Sequence, residues 1–113
     1  MTHKDLIVYK KSQELVGLAY KFIEALPKKE FDSISQMKKS TYSIPLNIAE
    51  GAGRNSKEQF LYFLNVSLGS LSELEAQYQI CINTEMSKPD PELYDLIDHV
   101  GRLLTNLIKS IKK

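Results

Sequence analysis

The sequence predicts an all-α fold, an up-down-up-down four-helix bundle. Three observations point to it. Apolar residues recur at steps of three and four in four separate segments. No segment shows the apolar–polar alternation of a strand. The links between segments are short and rich in Pro, Gly, Asn and Ser, as antiparallel neighbours require. The segments fall at about residues 9–26, 31–52, 56–85 and 91–112. A chain of 113 residues makes one domain, 1–113, with a single core.

The first helix is expected to start between Val8 and Ser12 and to end at Leu26, because Pro27 follows. Leu15, Leu18, Ala19, Phe22, Ile23 and Leu26 give it one apolar face. The second begins near Phe31. Pro45 lies inside it, and a proline removes one backbone donor and crowds the carbonyl four residues back. The pattern nevertheless keeps its phase through Pro45 to Ile48 and Glu50, which predicts a kink rather than a stop. Gly51 and Gly53 mark the stop.

The third helix is expected to be the longest. Two capping pairs compete to start it, Asn55 with Glu58 or Ser56 with Gln59. Phe60, Leu64, Ser67, Leu71, Leu74, Tyr78 and Cys81 then alternate by four and three, the rhythm of helices that cross at a shallow angle. Asp90 as cap and Pro91 at the first helical position open the fourth helix. Its core face is Leu93, Leu96, Ile97, Val100, Leu103, Leu104, Leu107, Ile108 and Ile111. Acids stand at its start and lysines at its end, matching the helix dipole.

Composition is that of an ordinary globular protein, with 42% hydrophobic and 26% charged residues. Net charge is +1, so no global field draws the chain to nucleic acid or membrane. The charge is unevenly distributed along the sequence. Residues 58–98 hold one base against eight acids, and residues 99–113 hold four bases and no acid. Folding decides whether these blocks become faces or mix. Cys81 is the single cysteine, so no intrachain disulfide forms and a reducing compartment is expected. With no signal peptide and no apolar run long enough to span a bilayer, a cytoplasmic protein without a membrane partner is expected.

The sequence carries no complete catalytic or metal-binding motif. Di-iron bundles need Glu-x-x-His pairs, and none occurs. His3 and His99 stand far apart, and Asp95 with His99 on one face is two ligands, not a site. Gly51-Ala52-Gly53-Arg54-Asn55-Ser56-Lys57 lacks the preceding strand and the Gly-Lys-Ser/Thr order of a phosphate loop. Leu68-Gly69-Ser70-Leu71 lacks the Gly-x-Ser-x-Gly of a nucleophile elbow. Glu73 and Glu75 fall on different helix faces. No catalytic residue, cofactor, metal or small-molecule substrate is assigned, and the chain is expected not to be an enzyme.

The candidate functional residues are therefore polar stripes. Gln36, Ser40, Ser43, Asn47, Glu50 and Arg54 share one face of the second helix. Ile34, Met37, Thr41, Ile44 and Ile48 run beside them as a core stripe. Solvated faces usually carry long charged side chains; this one is mostly Gln, Ser and Asn. It reads as a buried or half-buried hydrogen-bonded seam against another helix, within one chain or between subunits. On the third helix Asn65, Gly69 and Ser72, continuing to Ala76, Gln79 and Asn83, form a stripe whose small side chains admit a close neighbour.

The segment Ser43-Ile44-Pro45-Leu46-Asn47-Ile48-Ala49-Glu50-Gly51 is followed by Arg54, Ser56, Phe60, Phe63 and Leu64. Leu68-Gly69-Ser70-Leu71 and Glu73-Leu74-Glu75 come next. In this order the residues resemble the four-helix bundle proteins of bacterial 23S rRNA intervening sequences, over nearly the whole chain. The resemblance implies a bundle that assembles as a ring, typically a homopentamer. It also implies kinship with the accessory proteins of diversity-generating retroelements, which bind a reverse transcriptase and nucleic acid. It carries over no catalytic residue. Two functions are expected on this basis. One is an oligomeric binding or scaffold module for RNA or a ribonucleoprotein. The other is a protein–protein adaptor with no nucleic-acid affinity.

Overall fold

The computed structural model describes His3 and residues 6–113. Four helices form, α1 (Ile7–Glu24), α2 (Phe31–Ala52), α3 (Lys57–Asn83) and α4 (Pro91–Lys112), with a short 3₁₀ turn at Lys28–Glu30. No strand occurs among the described residues. Each helix packs on the next in sequence, and α1 packs on α4 to close the square; the backbones of the diagonal pairs stay apart, and α1 reaches α3 through side chains. The molecule measures 43 × 22 × 19 Å. Its long axis is about the 40 Å that the 27 residues of α3 span at about 1.5 Å each. No helix among the described residues is long and apolar enough to cross a membrane.

The core contains the expected faces. Leu15, Ile23, Ile44, Ile48, Leu64, Leu74, Leu93, Val100 and Leu104 are fully buried. Val8 and Ser12 join them from the first turns of α1. That burial is why α1 begins at Ile7, ahead of the expected start. At its far end α1 closes at Glu24, two residues short of expectation. Ala25 and Leu26 donate to the carbonyls of Phe22 and Ile23 and so tighten the last turn, while Leu26 stays in the core.

Of the two capping pairs, Ser56 starts α3. Its Oγ accepts from the Gln59 amide at 3.1 Å. The Glu58 carboxylate accepts from the same hydroxyl, and its pKa lies below the ordinary value because its own backbone amide and Ser56 donate to it. Asp90 caps α4 as expected, accepting from the Leu93 amide at 3.1 Å. The Asp90 backbone is in turn held by Tyr78, whose Oη accepts from the Asp90 amide at 2.7 Å. The Tyr78 ring packs against Phe22 of α1 and Tyr94 of α4, so one side chain ties three helices at the end with the α1–α2 and α3–α4 links.

The third helix ends at Asn83 rather than near residue 85. Glu85 adopts φ 62, the left-handed conformation. The Met86 amide bonds back to the Cys81 carbonyl and the Glu85 amide to Ile82, the double closure that normally uses glycine. Glutamate has a Cβ, so the turn stores strain of about 1–2 kcal/mol.

Two outcomes check this account. Leu71→Ala and Leu104→Ala should each lower stability by about 2–5 kcal/mol in denaturant unfolding, the cost of emptying a buried leucine site. Glu85→Gly should raise stability by about 1 kcal/mol and the melting temperature by about 4 °C, because glycine relieves the strain at positive φ.

Candidate functional site

The expected seam exists between α2 and α3, but it covers only the middle of the stripe. Ser40 is buried, and Ser43 and Asn47 are half-buried. The Ser40 hydroxyl meets the Gln36 carbonyl at 3.0 Å and the Glu73 carboxylate of α3. The Ser43 and Ser70 hydroxyls share a hydrogen bond at 2.7 Å across the two helices. Asn47 Nδ2 donates to the Ser43 carbonyl and hydroxyl at 2.8 and 2.9 Å, which fixes the Ser43 rotamer.

Sequence reasoning missed the deepest member. Ser67 sits in the leucine row of α3, and its hydroxyl donates at 2.9 Å to the Ile44 carbonyl, with both residues fully buried. The bond lands on the residue before Pro45, so α3 braces the helix beside its missing donor. Through that point α2 runs unbroken. A serine among leucines, facing a proline-bearing helix, was the available signal.

Close approach explains Gly51. A Cβ there would lie 2.8 Å from the Phe63 Cβ and 3.2 Å from the Phe60 carbonyl. Only glycine lets α3 pass at that distance. The helix stops at Ala52 with Gly53 as its cap, where the glycines mark it, but Gly53 has φ −82 and no glycine among the described residues has positive φ. The helix ends because the chain turns at Gly53–Ser56 to begin α3.

The ends of the stripe depart from the expected burial. Gln36, Glu50 and Arg54 are exposed. Arg54 Nε and a terminal nitrogen reach one Glu50 oxygen at 2.9 and 2.6 Å, and the guanidinium lies 5.0 Å from the centre of the Phe63 ring. Their side chains are 44% and 50% exposed. Such a pair contributes about 0–1 kcal/mol, because water screens it. With Lys39, Tyr42 and Leu46 it borders an open groove of 540 Å³. Asn65, Gly69 and Ser72 are all exposed, and nothing lies within 4 Å of a Cβ built on Gly69. At Gly69 the small-residue stripe on α3 therefore faces open space, while Asn65 donates to the Leu61 carbonyl of its own helix at 2.9 Å.

Chemistry elsewhere is sparse. No group of three or more His, Cys, Asp and Glu converges among the described residues. Cys81 is buried with its Sγ 3.6 Å from Met37 Sδ, and burial, with a smaller push from Glu30, raises its thiol pKa. His99 and Asp95 line a shallow groove between α1 and α4, above Gly17, Leu18 and Leu96.

The family model for 23S rRNA-intervening sequence proteins matches residues 4–106. A solved structure of a protein of unknown function, from the S23 ribosomal protein family of Bacteroides thetaiotaomicron, is similar in fold. Its TM-score is 0.85 at 27% identity, and the match covers 91% of this chain and 99% of that one. No curated protein matches the chain.

In unfolding experiments Ser67→Ala should cost about 1 kcal/mol, the net value of a hydrogen bond. Glu50→Ala should cost less than about 1 kcal/mol. A measured loss of about 3–5 kcal/mol for Glu50→Ala would place the pair inside a subunit interface instead.

Proposed function

Because the chain belongs to the 23S rRNA-intervening sequence protein family, we propose that it is a non-enzymatic, homo-oligomeric four-helix scaffold that holds RNA or a ribonucleoprotein in the cytoplasm. The observation that carries the assembly is Gly69. A glycine inside a helix costs about 1 kcal/mol relative to alanine. At Gly69 the chain gains no internal contact in return. The same face carries Asn65, Ser72 and Ala76 with exposed Tyr62 and Ile80, and no Lys or Arg lies between Lys57 and Lys88. A helix face of small side chains without Lys or Arg suits close packing against another helix.

A ring needs two different patches, one for each neighbour. The groove between α1 and α4 supplies the second. It lies across the bundle from α3, has an apolar floor of Leu18 and Leu96, and opens beside Gly17, around which there is also empty space. Seating the α3 stripe of one copy in the α1–α4 groove of the next leaves neither patch bare. Five copies is the ring size that the family resemblance implies. A protein–protein adaptor is the second reading, favoured by Phe31 and Tyr94, which stand exposed beside the α1–α2 and α3–α4 links. Phosphate contacts weaken steeply with salt and apolar ones do not, so ionic strength separates the two.

Light scattering should find about five times the 12.9 kDa chain mass, and a monomer at micromolar concentration would refute the assembly. Gly69→Arg should break the oligomer while leaving helicity intact, since the position opens to empty space within one chain.

A further inference from the structure

Folding sorts the uneven charge of the sequence to opposite ends of the bundle. One end holds the α1 start, the α2–α3 link and the α4 finish, formed by residues 7–14, 50–60 and 106–113. These segments carry seven bases against three acids, a net of +4. The other end, residues 20–34 and 78–95, carries four bases against seven acids.

We propose that the basic end binds the phosphate backbone of nucleic acid. This deepens the scaffold reading above by naming the surface and the ligand chemistry. Helix stability does not explain the charge. Two helix starts and two helix finishes meet at this end, so their dipoles cancel. Lys109 and Lys112 do sit favourably in the last turn of α4, but Lys57 is the first residue of α3, and Lys10 lies in a first turn of α1 that has no acid. A cation at a helix start is disfavoured by about 0.3–1 kcal/mol. Those lysines are placed against local preference, which an external anion would offset.

The surroundings favour nucleic acid over a membrane. Of the large apolar side chains that are exposed, one, Ile7, lies in these segments, whereas a membrane-lying surface presents a whole apolar face. Asn55, Gln59 and Asn106 stand exposed among the lysines and supply neutral donors of the kind that accompany Lys and Arg at phosphate and sugar oxygens. The end is 22 × 19 Å across, wide enough to meet several successive phosphates. Glu50 and Glu14 already neutralise Arg54 and Lys11, which leaves Lys10, Lys57, Lys109, Lys112 and Lys113 without an ion pair among the described residues.

The test is fluorescence anisotropy of a labelled single-stranded RNA of about 20 nucleotides, titrated with the intact protein from about 50 mM salt upward. The variant Lys57→Glu/Lys109→Glu/Lys112→Glu should bind at least about tenfold more weakly. The milder Lys→Gln triple at the same positions should lower the salt slope by about 2, at about 0.7 per lost contact on a single strand. Lys28→Glu/Lys29→Glu/Lys88→Glu makes the same change of charge at the far end, several screening lengths away, and should change affinity by less than about twofold. The proposal is overturned if the parent does not bind the RNA at the lowest salt. It is equally overturned if both Lys→Glu triples weaken binding alike, or if the parent binds phosphatidylserine vesicles and not RNA. Light scattering on each sample reports assembly separately, so a monomer that binds RNA sinks the ring alone, a ring that binds RNA but responds alike to both Lys→Glu triples sinks this surface alone, and a ring that ignores RNA sinks this surface and leaves the adaptor reading.

Discussion

The close approach of α2 and α3 is the constraint on which the rest of the bundle depends. It joins the helix that carries Pro45 to the longest helix of the fold. A proline inside a helix costs about 3 kcal/mol when nothing compensates. Here the neighbour holds α2 on either side of the proline. Ser67 holds the Ile44 carbonyl, Ser70 holds Ser43, and Gly51 lets the Phe60–Phe63 turn slide alongside. The contacts are short-range and directional, so they set the register of α2 on α3 as well as their spacing. A shift by one residue would leave the Ser67 hydroxyl buried without an acceptor, at about 1–3 kcal/mol. Once the register is fixed, the apolar faces of α1 and α4 have one arrangement in which to close the square.

That internal seam divides the polar residues into two classes. Ser40, Ser43, Asn47, Ser67 and Ser70 are spent inside the chain, and exposing them would undo the fold. Asn65, Gly69 and Ser72 are exposed, and among the described residues the one side-chain hydrogen bond they make is that of Asn65 to the Leu61 carbonyl of its own helix, so they hold no other helix in place. On the proposed reading, partner binding belongs with the second class. The groove of Tyr42, Leu46 and the Glu50–Arg54 pair lies on the boundary, since its floor is the seam and its rim is solvent.

The fold was legible in the sequence because periodicity reports burial directly. The α4 face from Leu93 to Ile108 and the Asp90–Pro91 start follow from residue type alone. Element ends were less legible. Glu85 takes a backbone conformation that its side chain disfavours, so nothing local announces it. The seam was half legible. Small polar residues on one face of α2 signalled hydrogen bonding, but which of them pair depends on the register of α3, and Ser67 was hidden among leucines. Glu50 and Arg54 keep the phase of the stripe, yet there the chain turns at Gly53–Ser56 and both side chains face solvent. The glycines show the same limit, since Gly51 signals a turn in sequence and a close crossing in space.

The separation of charge along a 43 Å axis makes the bundle an electric dipole. Bundles set side by side and parallel, as around a ring, bring like ends together and repel one another at both rims. Added salt shortens the reach of that repulsion to about 8–10 Å near physiological strength and relieves it. The same salt would weaken the proposed hold of the basic rim on a polyanion. If the proposed ring and the proposed phosphate-binding end both hold, ionic strength would drive assembly and capture in opposite directions, and a bound polyanion that neutralises the basic rim would itself favour closing the ring.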